Sequence, residues 1–453
     1  MTTAPTRRRL ARAAAVLLAT AVAGAAMPAA QAKPPKGDTA RISETAKGAQ
    51  LNGASSALGL SDDGRFALFT SAATDLLPGP GTPNTDEIYV RDLRNGHVER
   101  ISVAADGSRL NAPTTDASIS GDGRYVAFTT AATNVVPGQV AHDSDLFVRD
   151  RWTGRTELIA TDGNSTSPSL SRDGRHLAYV STRTDPDPEL NRPHSDVFVT
   201  DRRTRTTRLV SAGADGGATD DSSYNPTISA DGSTIGFSSR AHNLLPDAPA
   251  VTDPGETTAD AAAPGLAQPR FYPYYVWKAG TGRTSGASLD DEGYLRGVGV
   301  GARISPDGRY ALYLVPAFGS GQPGSPRLRM DVYTRELATG TLTRINTGLP
   351  GTATTGHSFA PVMTADGRWV YFESLADNLV PGDTNGVSDV FRRELRTGRI
   401  ERVSLTRDGE QGNAPAENPY VDAGGDTVVF DGGDGNLVPG DTNAAKDVFL
   451  RRL

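Results

Sequence analysis

Ser120-Gly121-Asp122-Gly123-Arg124-Tyr125-Val126-Ala127-Phe128-Thr129-Thr130 reads as a tight turn followed by a β-rich run, and the chain writes this phrase seven times. Ser-x-Asp-Gly-Arg stands at Ser61–Arg65, Ser120–Arg124, Ser171–Arg175 and Ser305–Arg309. Altered copies stand at Ser229–Ser233, Thr364–Arg368 and Asp422–Asp426. The Asp positions are 63, 122, 173, 231, 307 and 366, with Gly424 in the Asp place of the last copy, so the steps are 59, 51, 58, 76, 59 and 58 residues. A period of this length marks an array of small units, none of which can bury its apolar face alone.

Around that phrase each unit supplies four short strands. In the second unit they are Ser118–Ser120, Arg124–Thr130, Leu146–Asp150 and Thr156–Ala160, with turns at Asp122-Gly123 and Thr153-Gly154. Asp and Gly suit such turns because both tolerate the positive φ that hairpins demand. Four antiparallel strands repeated radially make a β-propeller blade. The fold expected is all-β, a seven-bladed propeller closed by the N-terminal strand. Thr39–Ser43 has no earlier strands of its own, and Arg41-Ile42-Ser43 lies 59 residues before Arg100-Ile101-Ser102 in register. Asp447–Leu453 reads as a third strand, so Thr39–Ser43 should complete the seventh blade and cover two open sheet edges.

A charge pair recurs where the second strand begins and the third ends. Arg65 meets Asp92, Arg124 Asp150, Arg175 Asp201, Arg309 Glu336 and Arg368 Glu394. The seventh unit exchanges the signs, Asp426 with Arg452, and the fourth has lost the pair, Ser233 with Lys278. Cross-strand neighbours of opposite charge are the expected reason.

Residues 1–32 read as a signal peptide. Arg7, Arg8, Arg9 and Arg12 precede the small apolar stretch Ala13–Met27, and Ala30-Gln31-Ala32 is a cleavage signal. Thr6-Arg7-Arg8-Arg9-Leu10 also has the look of a twin-arginine signal, so general secretion and twin-arginine export both remain open. The mature chain, 33–453, is then one propeller with an insertion at 246–274 in blade four, located outside the cytoplasm. It holds no cysteine, hence no disulfide or thiolate metal site. The whole chain carries 46 Lys and Arg against 53 Asp and Glu, a net charge of −7, and loss of the four leader arginines makes it −11. That excludes nucleic acid and anionic lipid as expected partners. No segment is suited to span a membrane, and a monomer is expected.

The units resemble the WD40-like repeats called PD40 of TolB-type propellers, on Ser120-Gly121-Asp122-Gly123-Arg124, Asp145-Leu146-Phe147-Val148-Arg149-Asp150 and Thr153-Gly154. The resemblance covers nearly all of the mature chain and implies protein binding in the cell envelope. The familiar TolB propeller has six blades behind an extra N-terminal domain, and this chain departs from it on both counts.

Chemistry could sit in three places. Leu379–Gly386 ahead of Asp389, and Leu437–Asn443 ahead of Asp447, carry oxygens that could wrap a calcium ion: Asp383, Asn385, Asp389, Asp441, Asn443 and Asp447. The alternative is that Asp389, Asp447 and their counterparts Glu87, Asp145, Asp196 and Asp331 accept hydrogen bonds that close the loops. No cofactor besides calcium is implied. The insertion ends in Arg270-Phe271-Tyr272-Pro273-Tyr274-Tyr275 with Trp277 beyond, and Arg270, Tyr272, Tyr274, Tyr275 and Trp277 form either a platform for sugar or peptide or an anchor on the sheet. Gly356-His357-Ser358-Phe359-Ala360 lacks the last glycine and the strand-to-helix setting of a nucleophile elbow.

The function expected is a non-catalytic binding module for a protein or envelope glycan. The alternative is an enzyme acting on polysaccharide, a lyase or hydrolase. The repeated turns share one face, so binding is expected on the other, at Asp215–Asn225, Asp253–Tyr275, Asp290–Tyr294, His357–Phe359 and Asp408–Asn418.

Overall fold

The opening Ser of the repeated phrase folds its own turn. Ser61 Oγ donates to Asp63 Oδ1 at 2.7 Å and accepts the Phe66 amide at 2.9 Å, while Asp63 Oδ1 accepts the Arg65 amide at 3.0 Å. Gly64 follows at φ 64°. The same pattern holds Ser120, Ser171, Ser229, Ser305 and Thr364 to the Asp two residues on. In each copy the glycine also takes a neighbour against its bare Cα. A Cβ on Gly123 would lie 2.3 Å from the Phe66 ring of the preceding blade, and one on Gly174 would lie 2.3 Å from the Tyr125 ring. Glycine therefore serves both the left-handed turn and the close approach of blades.

The computed structural model describes residues 37–77, 86–140, 142–160, 164–184, 193–246, 251–252, 271–290, 293–318, 328–433 and 435–453. The signal-peptide reading and Arg270 lie outside them. Seven antiparallel blades form a seven-bladed β-propeller. From the innermost strand outward, blade 1 is Ser55–Leu60, Phe66–Ser71, Glu87–Asp92 and Val98–Arg100; blade 2 is Thr114–Ile119, Tyr125–Thr130, Asp145–Asp150 and Arg155–Ala160. Blade 3 is Ser165–Leu170, His176–Thr184, Pro193–Asp201 and Thr206–Leu209; blade 4 is Ser223–Ile228, Thr234–Ser239, Tyr272–Lys278 and Arg283–Gly286. Blade 5 is Arg303–Ile304, Tyr310–Phe318, Leu328–Glu336 and Leu342–Arg344; blade 6 is Ser358–Met363, Trp369–Ser374, Asp389–Glu394 and Ile400–Arg402. Blade 7 is Ala416–Val421, Thr427–Gly432, Asp447–Arg452 and, from the chain start, Asp38–Arg41, which pairs Asp38 with Arg452 through Arg41 with Phe449. Blade 4 has two additions: Leu295–Val298 pairs with Tyr272 and Pro273, and Val251–Thr252 runs parallel to Leu295 and Arg296. Among the described residues no helix is long and apolar enough to cross a membrane.

The cores explain the aromatic that recurs in the third strand. It stacks on an aromatic of the second strand in six blades, Phe69–Tyr89, Phe128–Phe147, Tyr179–Phe198, Phe237–Tyr275, Phe372–Phe391 and Phe430–Phe449, with ring centres 5.6–6.0 Å apart.

The five pairs with Arg in the second strand and an acid in the third form, with N–O distances of 2.7, 2.6, 2.5, 3.3 and 2.8 Å in blades 1, 2, 3, 5 and 6. The exchanged pair does not. Arg452 points to the Leu93 carbonyl of blade 1 at 3.4 Å, and no ion pair joins it to Asp426. In blade 4, Lys278 donates instead to Thr234 Oγ1 and the Gly308 carbonyl, at 2.8 and 3.1 Å.

A further device binds blade to blade. The Arg that precedes the rim position in the third strand turns into the preceding blade's last strand and connection. Arg91 donates to the carbonyls of Ile42 and Glu44, Arg335 to Leu289, Arg393 to Ile345, and Arg451 to Leu405 and Thr406. Arg451 has no exposed surface, and burial pulls its guanidinium down to about 10.

Candidate ligand-binding site

The innermost strands of all seven blades line a central channel of about 460 Å³. Its wall mixes apolar side chains (Leu58, Leu60, Ile119, Val362, Met363, Tyr420) with polar ones (Ser118, Ser169, Asn225, Thr227), and Asp116 and Arg303 are its charged residues. Each inner strand would present open backbone amides at the junction to the blade before it. Side chains of that blade close many of them. Ser118 Oγ accepts the Leu170 amide, Ser169 Oγ the Ile228 amide, Thr227 Oγ1 the Ile304 amide and Asp116 the Ser167 amide. Glu373 takes the Asn418 amide and Asp431 the Ala57 amide.

The face that bears the Asp-Gly turns is drawn together by backbone bonds that run round the ring. Asp62 N donates to Gly121 O, Asp122 N to Arg172 O, Arg172 N to Ala230 O, Ala230 N to Pro306 O, Ala365 N to Ala423 O and Ala423 N to Asp62 O. Pro306 has no amide hydrogen, so the step from blade 5 to blade 6 goes without one. The opposite face carries the connections between blades and the loops between second and third strands. Here the inner strands bulge, with Ser167, Asn225, Ala360 and Asn418 at φ 48–53°. Bulges and left-handed non-glycine residues gather where side chains must be re-aimed at a functional surface.

At the junction of blades 6, 7 and 1, Asn418 Nδ2 donates to Asp431 at 3.1 Å and Lys446 Nζ donates to Glu417 at 3.0 Å. Burial pushes the Asp431 carboxyl up to about 6 and raises that of Glu373. Across the channel Arg303 of blade 5 reaches the Tyr420 ring of blade 7, 5.4 Å from its centre, with no hydrogen bond or ion pair among the described residues.

The aromatic run at 271–277 divides. Tyr274, Tyr275 and Trp277 are 0, 2 and 4 % exposed and pack into blade 4, with the Tyr274 hydroxyl at Thr227 and Tyr275 stacked on Phe237. These three anchor the strand and cannot offer a platform. Tyr272 is half-buried, with its ring stacked on Tyr224 at 5.9 Å. The two share a pocket of about 250 Å³ with Asn225, Ser238, Val298, Gly299 and Val300.

In the oxygen-rich loops a guanidinium stands where the cation was expected. Arg402 lies 2.8 Å from Asp383 and 3.5 Å from Asp389, which also accept from Ser404 and Asn385 in the case of Asp389. Arg41 lies 3.2 Å from Asp441 and 3.6 Å from Asp447; Gln50 donates to Asp441 at 2.5 Å, and Asn443 donates to Asp447 at 3.4 Å. Calcium there would have to displace Arg402 or Arg41. Arg100 with Glu87 and Arg344 with Asp331 repeat the arrangement.

The connections between blades also prove more alike than their sequences suggest. Hairpins with a left-handed glycine at Gly48, Gly107, Gly216, Gly293, Gly351 and Gly409 crown this face. A second Asp-Gly series, Asp106-Gly107, Asp215-Gly216 and Asp408-Gly409, was the signal for them.

No protein-family model and no curated protein matches the sequence. Solved structures do. An oligogalacturonate lyase from Vibrio parahaemolyticus is 13 % identical, with 91 % of this chain and 93 % of that one covered and a TM-score of 0.52. The β-propeller domain of the Trilobed protease from Pyrococcus furiosus is 15 % identical over 88 % and 93 %, TM-score 0.51; it is described as having an open velcro topology, whereas here Asp38–Arg41 closes the ring. TolB from Acinetobacter baumannii is 15 % identical over 82 % and 77 %, TM-score 0.37. At these identities the likeness is one of fold: a β-propeller.

Proposed function

We propose that this chain is an exported, non-catalytic binding module that takes a protein or a cell-envelope polymer on the face opposite the Asp-Gly turns. The observation that carries the reading is the asymmetry of the channel. Its Asp-Gly end is drawn together by ring-wise backbone bonds, and its other end opens among bulges, unlike side chains and a second pocket. Concave sites that set convergent polar groups among apolar ones are where ligands bind. The leader-like sequence at 1–32 and the absence of cysteine support an extracytoplasmic setting, and the net charge speaks against nucleic acid. Val300 is 73 % exposed and lines both cavities, so Val300→Trp should obstruct the mouth without disturbing a buried group. Pull-down from the producer's envelope fraction, run beside a glycan array, should give a component held by the natural protein and lost by Val300→Trp. Equal capture by both would overturn the reading.

The second reading is a propeller-fold enzyme acting on polysaccharide, a lyase or hydrolase. What favours it is Asp431, raised to about 6 beside Glu373, Glu417 and Lys446 near the same mouth. Release of reducing ends or unsaturated sugars from a polysaccharide panel, abolished in Asp431→Asn, would establish it in place of the first.

A further inference from the structure

The same three positions recur at the channel mouth in blades 2, 4 and 7, and they are spent differently. Thr115, Tyr224 and Glu417 each stand second in the inner strand; Asp116, Asn225 and Asn418 follow at the bulge; Thr129, Ser238 and Asp431 face them from the second strand. In blade 2, Thr115 and Thr129 bond to each other at 2.8 Å and Asp116 accepts the Ser167 amide. In blade 7, Glu417 holds Lys446, and Asn418 donates to Asp431. In blade 4, the Tyr224 hydroxyl, the Asn225 amide group and the hydroxyl of the adjoining Tyr272 make no hydrogen bond within the described residues. All three line one pocket of about 250 Å³.

From this we infer that the Tyr224–Tyr272 pocket is a binding site for one neutral pyranose ring of a glycan, a reading that rests on the proposed binding function and names its ligand class. The two rings lie 5.9 Å apart at 26° and offer extended π surface. The weakly positive C–H faces of a sugar ring suit the negative faces of aromatic rings. Two hydroxyls and an amide supply donors and acceptors of both kinds, as ring hydroxyls require. Charge is balanced locally: Arg240, 5.8 Å from the Tyr272 ring centre, is paired with Asp221 at 3.4 Å. An acidic or basic group seated in this pocket therefore finds no vacant counter-ion among its lining residues. A peptide added as a strand finds the edge occupied, since Tyr272 and Pro273 pair with Val298 and Gly297. The volume falls below the range of about 300–1,000 Å³ typical of drug-sized ligands, so one sugar unit fits and the remainder of a chain would run toward the channel.

The test is titration calorimetry of the mature protein against maltohexaose, cellohexaose, chitohexaose and mannohexaose, with hexagalacturonate as the acidic arm and an unstructured decapeptide pool as the peptide arm. At least one neutral hexamer should bind, and Tyr272→Ala should weaken it at least tenfold with an unchanged far-ultraviolet spectrum. Should that variant fail to fold, Tyr224→Phe with Tyr272→Phe keeps both rings, removes both hydroxyls, and should weaken binding at least threefold. No binding of any neutral hexamer, binding only of the acidic or peptide arm, or binding insensitive to the tyrosines would each overturn the inference. If envelope capture were still lost in Val300→Trp while the tyrosine variants captured normally, the binding-module reading would stand and the sugar pocket would fall.

Discussion

Arg451→Met tests how the ring is closed, because one guanidinium there serves three acceptors. Arg451 Nη1 lies 2.7 Å from Thr39 Oγ1, 2.9 Å from the Leu405 carbonyl and 3.1 Å from the Thr406 carbonyl. Thr39 belongs to the closing strand and Leu405 to the connection from blade 6, so the side chain ties three segments together. Hydrogen bonds from a charged donor contribute about 1.5–3 kcal/mol each. Against them stands the cost of burial, which, with the Arg392 charge, pulls this guanidinium well below its usual range to about 10, some 3 kcal/mol at about 1.36 per pH unit. Methionine fills much of the volume, and each carbonyl keeps another donor, Thr39 Oγ1 for Leu405 and the Gly409 amide for Thr406. The expected loss is therefore about 2–5 kcal/mol, near that for breaking a buried ionic contact. Arg149→Met is the control: the same position in blade 2, bonded only within its own blade to Gly154 and Thr156 at 3.3 and 3.2 Å. Urea unfolding followed by circular dichroism gives both losses. Hydrogen exchange of the Asp38–Arg41 amides should also quicken in Arg451→Met alone. Equal destabilisation by the two substitutions, or unchanged exchange in the closing strand, would refute the account.

Deleting residues 33–46 removes the closing strand and exposes Asp447–Arg452, and should lower the melting temperature by many degrees in calorimetry. Asp431 is held near 6 by burial, above its unfolded value, so its contribution to stability is complete below about pH 4 and is lost as pH rises through 6; Asp431→Asn should accordingly gain on the natural protein between pH 4.5 and 7.5 in thermal melts. Asp150 is shifted the other way, to about 2, chiefly by its bond to Arg124, so its contribution is present above pH 4 and lost as pH falls through 2. The exchange Arg124→Glu with Asp150→Arg should lose less than the two single changes added together; additive losses would mean the pair does not interact. Calcium at 5 mM should leave the natural protein's melting temperature unchanged, since Arg402 occupies the Asp383–Asp389 loop, and should raise that of Arg402→Met.

Blade number and closure were legible because the Asp-Gly phrase is local chemistry: a capped turn and a glycine that no other residue can replace. What escaped reading depended on neighbours distant in sequence. The inner strand of blade 2 begins at Thr114, four residues before the Ser118 start expected, because its bulge interrupts the alternation that marks a strand. Arg91, Arg335, Arg393 and Arg451 each precede a rim residue in sequence, and nothing in their spacing tells that they turn into the preceding blade. In composition the run Tyr274-Tyr275-Val276-Trp277 suits either an exposed platform or an anchor on the sheet. Its register settles the matter: Tyr275 stands where Tyr89 and Phe147 stand, opposite the aromatic of the second strand. The arginine that stands in these loops is written in the sequence too, since Arg402-Val403-Ser404 repeats the Arg41-Ile42-Ser43 phrase that fixed the register.

A repeat protein can host a single site only where one unit is released from work its copies perform. Blade 4 meets that condition at a cost that its own junction offsets. Among the described residues Tyr224, Asn225 and Tyr272 make no hydrogen bond across the contact between blades 4 and 5, whereas Asp116 of blade 2 and Asp431 of blade 7 each accept an amide of the following blade. The junction is held lower in the sheet instead. Thr227 Oγ1 accepts the Ile304 amide at 2.9 Å and lies 3.1 Å from the Tyr274 hydroxyl, Lys278 reaches Gly308 O at 3.1 Å, and Arg335 reaches Leu289 O at 2.9 Å. With those bonds closer to the Asp-Gly face or at the outer connection, the mouth of blade 4 is free to vary without opening the ring. Tyr272 is also the residue at which the longest departure from the repeat in the sequence returns to the sheet, so that departure and the residues relieved of structural duty adjoin.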